Sequence, residues 1–197
     1  MASLRVGDKA PAFRLPTGQG SEVGLDDYRG RPVVVWFTKG MACPFCRQHM
    51  SHLARGYPSM RELGAEVLEV TFSKPDRARF YVQNFTIPWP YLCDPDYAVR
   101  REWGLEERSH SPLYYVKNAF LGMTMEQPPN DYGASSPTMG EMTKLVRDDD
   151  MGLFVVDRDG IVRYAFSGSY MTEGGARKMP SNEEVLRELE RFAAKGS

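Results

Sequence analysis

The run Val33-Val34-Val35-Trp36-Phe37 restricts the fold of this chain more than any other segment. Its β-branched and aromatic residues favour a strand, and the lack of apolar–polar alternation requires cover on both faces of that strand. A helical stretch follows after a short link, from about Cys43 to Leu63, with Cys46, Met50, Leu53 and Tyr57 spaced for one face. Gly56 and Pro58 predict a kink or break within it. A buried strand leading directly into an amphipathic helix is the unit from which layered α/β folds are built.

The remaining segments extend this unit. Phe13 to Leu15 and Glu22 to Leu25 flank the turn-rich Thr17-Gly18-Gln19-Gly20 and predict an amino-terminal β-hairpin. Glu66 to Phe72 reads as a strand, and Pro75 to Asn84 as a helix opened by proline. Pro88 to Cys93 reads as a short strand and Pro95 to Trp103 as a helix. Leu153 to Asp157 and Ile161 to Phe166 flank Arg158-Asp159-Gly160 as a late hairpin. Ser181 to Glu184 has the spacing of a capping box, and Val185, Leu189 and Phe192 form the inner face of a last helix.

The expected class is α/β: a central mixed sheet flanked by helices, within one domain spanning 1–197. The stretch from about 105 to 150 departs from the rhythm. It carries Pro128, Pro129 and Pro137 together with Tyr114, Tyr115, Phe120, Met123, Met125, Met139 and Met142, too apolar for a plain loop. It reads as an insertion packed on the core, with a lid over the helix start or a subunit interface as the alternatives.

Charge and hydropathy remove several classes. The net charge is −1 with dispersed Lys and Arg, unlike the basic stripe of a nucleic-acid-binding protein. The densest apolar run has five residues, against about 20 for a membrane span. The opening MASLRVGDKAP carries charge and no apolar stretch, which points to the reducing cytoplasm. There, three cysteines make a redox or metal site rather than a disulfide scaffold.

Cys43-Pro44-Phe45-Cys46 falls at the strand-to-helix junction. Unpaired N–H groups and the positive end of the helix dipole stabilise a thiolate there. An unperturbed thiol is only about 3% ionised at neutral pH, whereas lowering its pKa to roughly 6.5 makes the thiolate the major form. Lys39 and Arg47 add positive charge nearby. Cys46, one turn further in, is expected to remain a buried thiol. The spacing therefore assigns attack to Cys43 and resolution, through an internal disulfide, to Cys46.

His49 and His52 extend the series as Cys43-x2-Cys46-x2-His49-x2-His52, with ligand types suited to zinc. Successive three-residue steps on a helix rotate by about 60° backward, so four such side chains do not converge readily. Surface or partner-bonded histidines are the simpler reading. Cys93 reads as a small buried filler at a strand end, with a second resolving cysteine as the alternative, and His110 carries no readable signal.

Val6-Gly7-Asp8-Lys9-Ala10-Pro11-Ala12-Phe13 with Leu25-Asp26-Asp27-Tyr28-Arg29-Gly30 resembles the amino-terminal signature of peroxiredoxins and related redoxins. Val34 to Cys46 is similar to the Cys-Pro-x-Cys variant of peroxiredoxin-like members of the alkyl hydroperoxide reductase/thiol-specific antioxidant (AhpC/TSA) family. Leu153 to Arg163 looks like that family's late hairpin. The resemblance implies a thioredoxin-like fold with an amino-terminal hairpin extension and an insertion before the last hairpin. It also implies a hydroperoxide substrate, with disulfides as the alternative, a thioredoxin- or glutaredoxin-type reductant, and it admits a homodimer. No metal, flavin or nicotinamide cofactor is expected, since no GxGxxG follows a strand.

The chain departs from the family pattern at three places. Peroxiredoxins typically carry Pro-x3-Thr-x2-Cys, whose threonine and backbone amides hold the peroxide. Here the threonine slot is Gly40 and the proline slot Trp36, and Met151 stands where the arginine before Gly-Leu-Phe is expected. Thr38 or Lys39 are candidate polar replacements, and Arg147 or Arg100 candidate arginines. The alternatives to a peroxidase are therefore a thiol-disulfide oxidoreductase and a redox-sensing or metal-binding module.

Overall fold

The structure is a computed structural model that describes residues 4–108, 110–116, 129–169, 171–172, 175–176 and 178–193. Its centre is a mixed sheet in which β3 (Val33–Thr38) lies between β4 (Glu66–Thr71) and β7 (Asp148–Val156). β4 runs parallel to β3 and to β5 (Tyr91–Cys93), while β7 is antiparallel to β3 and to β8 (Val162–Ser169). The short β6 (Glu107–Arg108) pairs with the start of β7. The expected hairpin is present as β1 (Arg14–Pro16) and β2 (Glu22–Gly24), paired Arg14 to Gly24.

The unalternating run in β3 is covered on both faces. Val34 and Trp36 enter a core with Val67, Cys46, Met50, Leu53, Val185 and Leu189. Val33, Val35 and Phe37 enter a second core with Phe13, Leu68, Val70, Trp103 and Phe154. Thus α1 (Pro44–Glu62) and α5 (Asn182–Ala193) cover one face. The amino-terminal hairpin region and the segment around α3 (Ala98–Glu102) cover the other. α2 (Pro75–Asn84) buries Ala78 and Tyr81 in the first core.

Of the kink or break expected at Gly56 and Pro58, the break does not occur: α1 continues through both residues. Gly56 has a packing reason: a Cβ would lie 2.5 Å from the Asn182 side chain at the start of α5. Asn182 is anchored by donating from Nδ2 to the His52 carbonyl at 2.7 Å. Ser181 and Glu184 exchange the reciprocal bonds of a capping box before α5, whose Val185 and Leu189 are buried as expected. The Phe192 side chain lies outside the described residues.

Three expected boundaries differ. The strand at 88–93 shortens to Tyr91–Cys93, because Pro88 and Pro90 have no N–H for the ladder. The helix at 95–103 shortens to Ala98–Glu102; Asp94 accepts from the Arg100 N–H at 2.9 Å, and Tyr97 takes φ 57°. β7 begins at Asp148 rather than Leu153, because each early carboxylate finds a partner. Asp148 meets His110 Nε2 at 2.7 Å, Asp149 accepts from the Tyr97 hydroxyl at 3.1 Å, and Asp150 accepts from the Glu106 N–H at 3.2 Å.

Within the 105–150 stretch, residues 129–147 pack against α1 and α2. The Asp131 N–H donates to Ser51 Oγ at 2.8 Å, and Arg55 pairs with Asp131 at 2.7 Å. α4 (Met139–Leu145) is joined to α2 through Glu141, which accepts from Arg77 at 3.1 Å and Tyr81 at 2.8 Å. Met139 is nonetheless 82% exposed. Phe120, Met123 and Met125 lie outside the described residues.

Candidate active site

The link between β3 and α1 is a single tight turn, Gly40–Ala42, ending on Cys43 as the helix N-cap with Pro44 at the first helical position. Two local features hold it. Gly40 takes φ 61°, a left-handed conformation that glycine adopts without a Cβ penalty. Thr38 Oγ1 accepts the Gly40 N–H at 2.9 Å. A third feature is long-range: the Tyr91 hydroxyl accepts the Met41 N–H at 3.0 Å. A Cβ on Gly40 would lie 2.0 Å from that hydroxyl oxygen, so Tyr91 fills the space a threonine side chain would take at this slot.

Cys43 is 5% exposed and Cys46 fully buried; both are free thiols. Burial pushes Cys43 up, but the Cys46 hydrogen bond, the Lys39 charge and the Cys46 and Phe45 N–H groups outweigh it and bring its pKa to about 7. A thiol with that pKa is about half thiolate at neutral pH. Cys46 moves the opposite way: burial and then the hydrogen bond and charge of Cys43 raise it well above its ordinary value, with Thr38 and the Lys39 N–H opposing only in part. The Thr38 side chain is thus engaged by Gly40 and Cys46.

The positive charge at the turn comes from Lys39 and Arg47. Lys39 is buried, donates from Nζ to the Leu145 carbonyl at 2.9 Å and to the Arg147 carbonyl, and is lowered by burial against the attraction of Asp149 and Cys43. Arg47 is buried on α1 and donates to the Met41 carbonyl at 2.8 Å and Ser135 Oγ at 2.9 Å. Ser135 in turn donates to the Met41 carbonyl at 2.6 Å, which seats residues 129–138 on the cysteine turn.

Arg147, considered from sequence as an arginine for the cysteines, directs its guanidinium elsewhere: to Glu107, to Asp149 at 3.4 Å and over the Tyr97 ring. Only its carbonyl reaches the site, through Lys39. Arg100 donates to the Thr38 carbonyl at 3.1 Å and to the Asp150 carbonyl, joining the ends of β3 and β7. Met151 is a buried apolar residue of β7. A Lys39→Met variant is expected to raise the Cys43 pKa by roughly one pH unit, and Arg147→Ala to leave it nearly unchanged. Thiolate ultraviolet absorbance across a pH titration checks both.

His49 is half-buried and held near 4, by desolvation and then by His52. The His52 ring nitrogen accepts the Asn182 N–H at 3.4 Å. Among the described residues no group of three or more His, Cys, Asp or Glu side chains is arranged to hold a metal ion. Cys93 closes β5 fully buried, and burial pushes it up to about 12, so it stays a thiol. Sequence reasoning passed over Tyr91, Ser135 and Glu69, whose roles depend on partners distant in the chain.

The sheet order, the helices on both faces and the cysteine pair at the first turn of α1 define a thioredoxin-like fold. The same architecture occurs in the crystal structure of peroxidoxin BcpB from Mycobacterium tuberculosis, with a TM-score of 0.63 and 16% identity, covering 98% of this chain and 99% of that one. Residues 6–165 match the AhpC/TSA family, and the chain belongs to it. A putative peroxiredoxin of M. tuberculosis H37Rv is 35% identical over 101 residues, 51% of this chain and 64% of the relative, so the match spans less than two thirds of that protein. Peroxiredoxin Bcp of Escherichia coli K12 is 29% identical over 126 residues, 64% of this chain and 75% of its own length. No helix among the described residues is long and apolar enough to cross a membrane.

Proposed function

We propose that this protein is a thiol peroxidase in which Cys43 reduces hydroperoxides and Cys46 resolves the product. The observation that carries the reading is the opposite displacement of two neighbouring thiols: Cys43 brought down to about 7 and Cys46 pushed up. The Cys43 thiolate attacks the terminal peroxide oxygen, the O–O bond breaks, and the departing alkoxide takes a proton to leave as alcohol or water. Cys46 then attacks the Cys43 sulfenic sulfur, forming the internal disulfide as hydroxide leaves and is protonated to water. A thioredoxin- or glutaredoxin-type dithiol in a reducing, cytoplasmic setting restores both thiols, its own pair becoming the disulfide. Lys39, Arg47 and the Phe45 and Cys46 N–H groups supply the positive potential that stabilises the attacking sulfur.

Stopped-flow oxidation of the reduced protein by hydrogen peroxide and by an organic hydroperoxide tests this. Wild type is expected to react faster than a free thiol of similar pKa; Cys43→Ser abolishes the reaction, and Cys46→Ser stalls it as a sulfenate. Oxidation at the free-thiol rate would remove peroxide as the substrate. The second reading, a thiol-disulfide oxidoreductase, is favoured by Gly40, Trp36 and Met151 standing in the three peroxide-binding slots. Insulin-disulfide reduction without peroxide turnover would select it.

A further inference from the structure

Glu69 is a buried acid with no assigned task. Alternation along β4 puts Val67 and Glu69 on the α1 side of the sheet, with Leu68 and Val70 on the other. In register, Glu69 stands between Trp36 of β3 and Tyr91 of β5. Trp36 and Tyr91 belong to the buried cluster that contains Cys43, Cys46 and Met41. The residue is 0% exposed. Its Oε2 accepts the Trp89 indole N–H at 2.8 Å, whereas Oε1 has no hydrogen-bond partner among the described residues.

An ionised carboxylate in such a place is costly without a cation, so the group favours its protonated form. Burial raises its pKa to about 8; the Trp89 bond lowers it, and the Cys46 charge raises it further. The titratable groups that feel its charge are Cys46 on α1, Tyr91 on β5 and Tyr132 from the segment packed over α1. Tyr91 is itself raised well above its ordinary value, and burial raises Tyr132 as well, so both stay protonated. Cys46 is therefore the neighbour whose proton must move during the chemistry. Being fully buried, it has no direct exchange with solvent.

We propose that Glu69 is the proton-exchange partner of Cys46, taking the thiol proton when Cys46 attacks oxidised Cys43 and returning it when the disulfide is opened. This rests on the reading of Cys46 as the resolving thiol. Closure runs through the molecules in which Glu69 has released its proton to solvent, a fraction that grows as pH rises toward about 8. The Sγ–Sγ bond forms and the Cys43 S–O bond breaks, the proton passes from Cys46 to the ionised Glu69 carboxylate, and the departing hydroxide takes a proton from solvent. On reduction, a thiolate of the incoming dithiol bonds to Cys43 Sγ, Cys46 leaves as thiolate, and the Glu69 acid protonates it.

Glu69→Gln keeps the size of the side chain and an acceptor for Trp89 but cannot exchange the proton. In the stopped-flow experiment it is expected to leave the Cys43 oxidation phase within about twofold of wild type and to slow disulfide closure by about tenfold or more. The pH dependence of closure centred near 8 in wild type should flatten. Trp89→Phe, which removes the bond that lowers the Glu69 pKa, should shift that midpoint upward, a response that a purely structural role would not give. Near-ultraviolet circular dichroism verifies that both variants are folded. A second arm forms the disulfide with diamide and follows its opening by dithiothreitol, where Glu69→Gln should again be slower. Unchanged closure, opening and pH profiles in Glu69→Gln overturn the proposal. If wild type fails to react with peroxide but the second arm shows the effect, the peroxidase reading falls and the role of Glu69 stands.

Discussion

Gly40→Ala is expected to destabilise the fold by about 2–5 kcal/mol, more than an ordinary glycine-to-alanine change. Two causes act together. At φ 61° an L-residue costs about 1–2 kcal/mol against the strain-free glycine. The added methyl also lands 2.0 Å from the Tyr91 hydroxyl, which sits in a fully buried position and accepts the Met41 N–H. Moving that hydroxyl leaves a buried donor unsatisfied, a further cost of about 1–3 kcal/mol. Urea unfolding of the single variants Gly40→Ala and Tyr91→Phe and of the double variant separates the causes. Removing the tyrosine oxygen relieves the overlap, so the double variant should be more stable than the sum of the single effects allows. Strict additivity would mean that the hydroxyl does not occupy the slot. Because the turn sets Cys43 against the Phe45 and Cys46 N–H groups at the start of α1, the Cys43 pKa should rise in Gly40→Ala and stay near wild type in Tyr91→Phe.

The same pair of residues shows where sequence reading stops. Gly40 is visible as a missing threonine, but nothing in the sequence says that a residue 51 positions later fills the gap. Features with local causes were legible. The unalternating β3 run announced its double cover, Pro75 opened α2, and Ser181 with Glu184 marked the start of α5. Features set by long-range pairing were not. Asp148-Asp149-Asp150 looks like a polar loop until His110, Tyr97 and Glu106 are brought to it, and only then does β7 reach its full length. Arg147 lies close in sequence to Met151, the slot where an arginine is expected, yet Glu107 and Asp149 claim its charge, while Lys39 reaches across to its carbonyl. Glu69 reads as one polar residue in a strand; that it faces the helix-covered side depends on the register with Trp36 and Tyr91.

The buried Glu69 carboxyl should also leave a signature in stability that needs no catalysis. Its folded pKa of about 8 stands above the ordinary 4.5, so between those values the folded protein holds a proton that the unfolded chain has released. Stability is therefore fully present below about 4.5 and is lost as pH rises toward about 8. At about 1.4 kcal/mol per pH unit the loss is bounded by about 5 kcal/mol, comparable with the whole stability of a small domain. Two other groups tilt the curve the other way. His49, held near 4 against an ordinary 6.5, costs stability as pH falls through that interval. Cys43, brought from 9.0 to about 7, adds stability as pH rises between those values. The wild-type profile is thus expected to be nearly level where His49 and Glu69 offset each other and to decline from about 6.5 until Cys43 begins to ionise. Glu69→Gln removes one of these three contributions and leaves the others in place. Its stability relative to wild type should rise steadily from about pH 5 to about pH 8, read as the difference between denaturant midpoints multiplied by the common slope. A difference that stays constant over that range would mean that the Glu69 pKa is not raised on folding, and the midpoint near 8 expected for disulfide closure would then have another source.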